Sequence, residues 1–536
     1  MMRTKTALSI ILLTFFTKGI ILAQELSEFD PVLSVTYVNP NGVSSANYIY
    51  DMVRSDGETY VIYKHEKKAE FLVHRLEEET TTEETGKFEF KDPRTKFGLA
   101  GVGTKTFTPF FSTDHDKKSN CLYAQELSLS KGVAIDAPYL VGCLRGEDYY
   151  RNFANSFASF QTSPDSSKLM IYFKMPELED GTKVFRFMVF DEEFRQLWEK
   201  DVPITEKGKE LRIGGTSWFM AEGNRGPIII ADQVNREAIK LSNNGSVYFW
   251  AVHDRGRSSD GPQRFENYLV EVTENSVETE MVGSPDYKLW FKNLKLETIG
   301  DGVVISGRIK SWGEPSKWTQ GGYYAATWIN GDFNSAAIPY DPATLTLNMN
   351  AKEKEKAQKT FDASKTISWG KWENERIDVL LKKDFGSGFF LINDLPKGKL
   401  IISFNSSCEQ EWTRGFAISR SLFGPDIFQT KRSLIFNYWD HPAHLEKGWT
   451  VEKDGLKEPK GKRVEGIAVL SLSDSKVFRK RATRKNETGG EGINNESMVR
   501  ISANTYIATP GMYSGGLSTT ADRTIRKKIA IIELME

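Results

Sequence analysis

The sequence predicts an all-β chain folded as a β-propeller of roughly six to eight four-stranded blades, with long inter-strand loops and one short helical insertion. Three observations predict it. A unit of polar turn, apolar strand, hairpin and second strand recurs along the chain. Its strands are near-continuous apolar runs, such as Lys168 to Phe173 (KLMIYF) and Val184 to Phe190 (VFRFMVF). The turns at Asp56, Asp114, Asp165, Asn244 and Asp301 follow one another at intervals of 58, 51, 79 and 57 residues.

The physical warrant for each is separate. Asp-Gly and Asn-Gly turns supply the positive φ that a tight hairpin requires. A strand with one buried face alternates apolar and polar residues, whereas a strand covered on both faces does not. Sheets stacked radially cover both faces of their middle strands. The intervals exceed the ~40–45 residues of a compact WD40 blade and suit four-stranded units with long loops. Tandem β-sandwiches share the short-strand signature and are the competing architecture.

The units run in order. The first has Ser55-Asp56-Gly57, Thr59 to Lys64 and Glu70 to Leu76; the second has the turn Asp114 to Asn120 before Cys121 to Ala124. The third has Ser163 to Ser167, the two runs above with Glu179-Asp180-Gly181 between them, and Leu197-Trp198. The fourth has Asn243-Asn244-Gly245, Val247 to Val252 and Tyr268 to Val272. The fifth has Gly300-Asp301-Gly302, Val303 to Ile309 and Tyr323 to Ile329. Later strands are Phe389 to Ile392, Lys399 to Phe404, Ser433 to Tyr438, Gly466 to Leu472, Thr505 to Ala508 and Lys528 to Leu534. The segment 341–361 breaks the pattern, being charged and rich in helix formers from Ala351 on, and is expected as a short helix or a solvated loop.

Composition limits the function. With 71 Lys+Arg against 72 Asp+Glu, the net charge is −1, and no basic excess argues for nucleic acid or anionic membrane. Arg3 and Lys5 precede the apolar run Ala7 to Thr17, and Ala23 offers a small residue for cleavage. This reads as a signal peptide over 1–23 followed by a single propeller-like domain over 24–536. The run falls short of the ~20 apolar residues a spanning helix needs, and Lys18 interrupts it. The expectation is an exported chain, periplasmic, outer-membrane-associated or secreted, with no transmembrane segment in its mature form. Export permits disulfides. Cys121 and Cys143 are the candidate pair, with Cys408 left over; three buried thiols are the alternative.

Three stretches carry a resemblance: Phe187 to Asp201 (FMVFDEEFRQLWEKD), Ala336 to Ile392, and Leu400 to Asp440, where SLIFNYWD contains Asn-x-x-Asp. Together they resemble uncharacterised secreted bacterial proteins with a β-propeller-like repeat fold of the WD40/TolB-like kind. The resemblance implies a fold and no activity.

Catalytic signatures are weak. There is no G-x-S-x-G elbow, and His65-Glu66-Lys67-Lys68-Ala69 lacks the second His of a zinc-protease helix. No C-x-x-C occurs, and no metal or other cofactor is expected. Asp440, His441 and His444 are candidate ligand-binding residues, because two of the six histidines fall beside a carboxylate. Pro442 breaks a regular helix through them, and the alternative is a strand-end loop capping its own backbone. Trp312 and Trp318, expected in a loop, are candidates for stacking on a sugar ring or a protein partner. Asp301, Asp332, Asp384 and Asp440 fall in turns or at strand ends, where turn chemistry alone favours Asp.

The function expected is an exported non-enzymatic binding or scaffold propeller that engages a protein or glycan partner through its loop face. A carboxylate-based carbohydrate-active hydrolase or lyase is the first alternative, and a structural cell-envelope component the second.

Overall fold

The computed structural model describes residues between 32 and 535, apart from short loop segments and the longer stretches 90–98, 146–157, 215–237, 255–264, 340–349, 365–378, 418–425, 446–463 and 513–528. The proposed signal peptide and its cleavage point lie outside the described residues. Strands dominate. Among the described residues they form eight sheets of four or five strands, numbered here in chain order, with one two-stranded ribbon after the third; all pairings are antiparallel except that of Val32–Val38 with Thr483–Arg484.

Sheets one to three and five to seven are simple meanders of consecutive strands, and sheet four is one in which Arg212–Ile213 and Ile239–Leu241 both pair with Val247–Asp254 in the place of a single first strand. Sheet one spans 47–89, sheet two 100–145, sheet three 158–203, sheet four 212–282, sheet five 288–339, sheet six 379–417 and sheet seven 426–481. Sheet eight is different. It takes Glu491–Arg500, Thr505–Met512 and Ile529–Met535 from one end of the chain and Val32–Val38 from the other, with Thr483–Arg484 alongside.

The sheets pack face to face in sequence order. Sheets one and two share a core of Ile62, Val73 and Leu127, and sheets two and three share Phe107, Ile171 and Phe190. Sheets three, four and five are joined through Phe187, Phe249, Leu269 and Trp328. Sheets five and six meet at Val304 and Leu391, and sheets six and seven at Ile401 and Phe436. Phe428 of sheet seven lies edge-on to Tyr506 of sheet eight with centroids 5.5 Å apart. Ile507 and Ile531 of sheet eight return onto Val61 and Tyr63 of sheet one. The circuit therefore closes, and the first strands of neighbouring sheets approach one another around it, from 47–55 beside 100–102 to 491–500 beside 47–55. A closed ring of radial four-stranded sheets with first strands innermost is a β-propeller.

The burial follows from this arrangement. In sheet three, Leu169 through Phe173 are all buried without alternation, because sheets two and four cover its two faces. The outer strand Gln196–Pro203 is mostly exposed.

In sheet two, the turn Asp114 to Asn120 differs in role from the other turns used to set the period. It joins the second and third strands, whereas the turns at 56, 165, 244 and 301 join first and second. The strand before it, Lys105–Asp114, carries Pro109. The first strand, Ala100–Val102, pairs with Lys105 to Phe107, and Pro109 pairs with Ala124 of the third strand.

The helix runs Ala351–Ser364, starting where the helix formers begin. Asn350 starts it: the Glu353 backbone N–H donates to Asn350 Oδ1 at 3.0 Å, and Glu353 Oε2 accepts from the Asn350 N–H at 3.2 Å. This reciprocal pair satisfies two helix-end donors. No helix among the described residues is long and apolar enough to cross a membrane.

Candidate functional site

Strand direction sorts the connections onto two faces. In every meander the first-to-second and third-to-fourth turns lie at one end, and the second-to-third connections and the links to the next sheet lie at the other. The first end carries tight turns such as 103–104, 192–195, 300–301 and 405–409. The second joins strand ends further apart in sequence, such as Asp440 to Val464, and Pro339 to Val379 with the helix Ala351–Ser364 between them. The candidate ligand residues all map to this loop end, on two sheets with sheet six between them.

Trp312 and Trp318 are the last and first residues of the strands Gly302–Trp312 and Trp318–Ile329 and pair with each other just beyond a ladder irregularity at Ser311/Trp312. Their expected place in a loop is corrected to the top of the sheet-five ladder, because pairing continues three residues beyond Ile309, through Lys310, Ser311 and Trp312. Asp440 ends the strand Ser433–Asp440 of sheet seven. His441 follows it, and a short 3-10 turn spans Pro442–Leu445. The Ala443 N–H donates to His441 Nδ1 at 3.2 Å, and the His444 N–H donates to the His441 carbonyl at 2.9 Å. The imidazole of His441 thus caps the turn that Pro442 initiates. The two rings are 5.7 Å apart, His441 half-buried and His444 only 2 % exposed. Among the described residues no group of three or more His, Cys, Asp or Glu is gathered as for a metal ion.

The four aspartates separate. Asp301, Asp332 and Asp384 sit in or beside tight turns, and Asp440 sits at the loop end. They do not converge on one face.

One polar cluster that the sequence reading did not single out spans three sheets at the tight-turn end. Asp384, from sheet six, is ion-paired with Arg500 of sheet eight. Arg500 also donates from Nε to the Ser502 carbonyl at 3.0 Å, and its guanidinium lies 5.4 Å from the Tyr506 ring centroid. Gln429, from sheet seven, lies between: its backbone carbonyl accepts from the Tyr506 hydroxyl at 3.0 Å. Its side-chain amide, oriented to suit its neighbours, donates to the Lys382 carbonyl at 3.1 Å and accepts from the Asp384 N–H at 2.8 Å. Burial raises the Asp384 carboxyl above the usual range, outweighing the opposing pull of Arg500 and Lys382. The cluster ties together the three sheets beside the ring closure.

Cys121 and Cys143 lie directly opposite one another on adjacent strands of sheet two and form a disulfide across 22 residues of sequence. Cys408 is a free, buried thiol whose burial pushes its pKa up to about 12.

No protein-family model matches the chain, and no curated protein does. Among solved structures, it is similar to the β-propeller domain of the trilobed protease of Pyrococcus furiosus, at 9 % identity and a TM-score of 0.34, over 82 % of this chain and 97 % of that one. It is also similar to an α-L-arabinanase of Penicillium chrysogenum, at 8 % identity and a TM-score of 0.29, over 58 % of this chain and 98 % of that one. A third is plexin A of Drosophila, solved in complex with semaphorin 1b, at 8 % identity and a TM-score of 0.32, over 93 % and 86 % of the two chains.

Proposed function

We propose that this protein is an exported, non-enzymatic binding or scaffold propeller that engages a protein or glycan partner through its loop face. The observation that carries the reading is the division of the connections: tight turns at one end of the sheets, long segments and the helix Ala351–Ser364 at the other. A rigid ring presenting variable segments on one face is suited to recognition without a catalytic constellation. The separation of Asp301, Asp332 and Asp384 from Asp440 speaks against these four acting as one carboxylate site.

The test is capture of partners from envelope extract by the mature chain, read by mass spectrometry, with a glycan array in parallel. Trp312→Ala with Trp318→Ala, or replacement of 446–463 by a short Gly-Ser linker, is expected to abolish the signal. Asp301→Ala and Asp332→Ala, on the opposite face, are expected to leave it unchanged. Loss of binding only in the latter pair would overturn the assignment of the face.

A further inference from the structure

We propose that the seam between sheets five and six contains a binding site for neutral hydroxyl groups, formed by Ser306, Thr327 and Asn393. All three residues are at most 1 % exposed. Ser306 Oγ, Thr327 Oγ1 and both Oδ1 and Nδ2 of Asn393 are buried with no hydrogen-bond partner among the described residues.

The strand register places the three in one seam. Ser306 pairs with Ala325, and Thr327 pairs with Val304. Val304 and Ala325 belong to the core that sheet five shares with sheet six. Residues opposite one another in a ladder share a face, so Ser306 and Thr327 face sheet six. Asn393 continues the alternation of Phe389 and Leu391, which belong to the same core, and so faces sheet five. Polar side chains thus enter one apolar seam from both sides.

Buried polar atoms are nearly always met by protein or by an ordered guest, because an unmet one keeps the full penalty of its lost hydration. None of the three side chains carries a charge. An amide and two hydroxyls both donate and accept, which suits a neutral guest with the same dual capacity. A hydroxyl group has it, whether supplied by water or by a sugar.

The backbone places the site below the loop face. The central hairpin of sheet five, Gly302–Trp312 with Trp318–Ile329, and that of sheet six, Phe389–Leu395 with Gly398–Phe404, both start at the tight-turn end. The second strand of sheet five has 11 residues and that of sheet six has 7. Sheet five therefore runs on by roughly four residues, about 13 Å at ~3.3 Å per residue, toward the loop face. Asn393 lies two residues from the top of the shorter strand, at the foot of that step. The inference is independent of the partner-binding reading, since the seam can hold its guest whether or not the loop face binds anything.

The test is a high-resolution crystal structure of the mature chain in sugar-free buffer and again after soaking with maltose, cellobiose or lactose. The expected result is non-protein density hydrogen-bonded to Asn393 and to at least one of the two hydroxyls. Density unchanged by the sugars identifies water as the source, and density replaced by a sugar ring identifies a glycan hydroxyl. Either supports the site. Finding all four atoms bonded to protein atoms, or an empty seam, overturns it. Thermal melts give a second readout. With a guest bound, Thr327→Val and Asn393→Leu lower the melting temperature by several degrees, whereas in a dry seam Thr327→Val raises it.

Discussion

Phe194 and Cys408 occupy the same position of the same turn in sheets three and six, both with positive φ, 61° and 63°, and both buried. In each case the residue three positions earlier organises the turn. Asp191 Oδ1 accepts from the Glu193 and Arg195 N–H groups at 2.9 and 2.8 Å, and Asn405 Oδ1 accepts from the Glu409 N–H at 2.9 Å. A ladder irregularity precedes each turn, between Val189 and Phe190 and between Ser403 and Phe404. The left-handed conformation turns the side chain inward. Phe194 stacks on Phe107 of sheet two at 4.3 Å and on Phe190 at 4.5 Å. Cys408 joins the core between sheets five and six.

This relationship predicts an inverted substitution order at Phe194. Phe194→Ala loses the stacked ring and keeps an unfavourable φ, so it is expected to cost about 3–5 kcal/mol in urea unfolding. Phe194→Gly loses the same packing but relieves the backbone, and should be equal to or more stable than the alanine variant. A glycine variant clearly less stable than alanine would falsify the strained-turn account.

His74 predicts a pH dependence. It is fully buried in sheet one, edge-on to Tyr63 at 5.1 Å, with Nδ1 3.3 Å from Thr82 Oγ1 and Nε2 without a partner among the described residues. Burial lowers its pKa to about 4 from 6.5. The neutral form is the one the fold accepts, so the stabilisation is complete above the unfolded value and is lost as pH falls from 6.5 toward 4. A loss on the order of 2–3 kcal/mol is expected from this group. Denaturant titrations at pH 7, 5.5 and 4 should show the decline in the wild type, and His74→Leu should flatten it.

The cysteines predict a thiol count. In denaturant without reductant the chain should expose one reactive thiol, and in the native state none, because Cys408 is buried and its thiol is held protonated. Closing a 22-residue loop predicts that reducing Cys121–Cys143 costs about 3 kcal/mol in the chain-entropy account. Two or three thiols appearing without reductant would refute the pairing.

Ring closure predicts tolerance to permutation. Val32 pairs with Met535, so a short linker can join the two strand ends without crossing the ring. A permutant opened at the exposed turn between Asp180 and Gly181 should keep the wild-type circular dichroism spectrum and a single cooperative melt. By contrast, Ile531→Ala, in the seam between sheets eight and one, should cost about 2–5 kcal/mol.

The sequence made strands legible wherever an apolar run followed a turn of Asp, Asn, Ser and Gly, as at Leu169 to Phe173 and Val247 to Val252. Both are buried on both faces as the lack of alternation implied. Lys105–Asp114 was obscured by Pro109, which normally argues against a central strand. The pairing of Val32–Val38 with Ile529–Met535 leaves no local mark, since each reads only as an apolar run. At the loop face, Pro442 foretold the broken geometry around His441. The groups meeting at Asp384, Gln429 and Arg500 come from three sheets, and no spacing in the chain announces that. Asn393 was visible in principle, as an amide within the apolar run FFLIN.

The strand Val32–Val38 has a lasting consequence for how the molecule is made. It is made long before its antiparallel partner Ile529–Met535. Until then a seven-residue apolar ribbon waits with its hydrogen-bonding edge open, and the circle of sheets is a broken arc. Maturation should therefore show a late, concentration-sensitive step in which a helper that shields loose strands raises the yield, while a chain halted before residue 529 accumulates as aggregate.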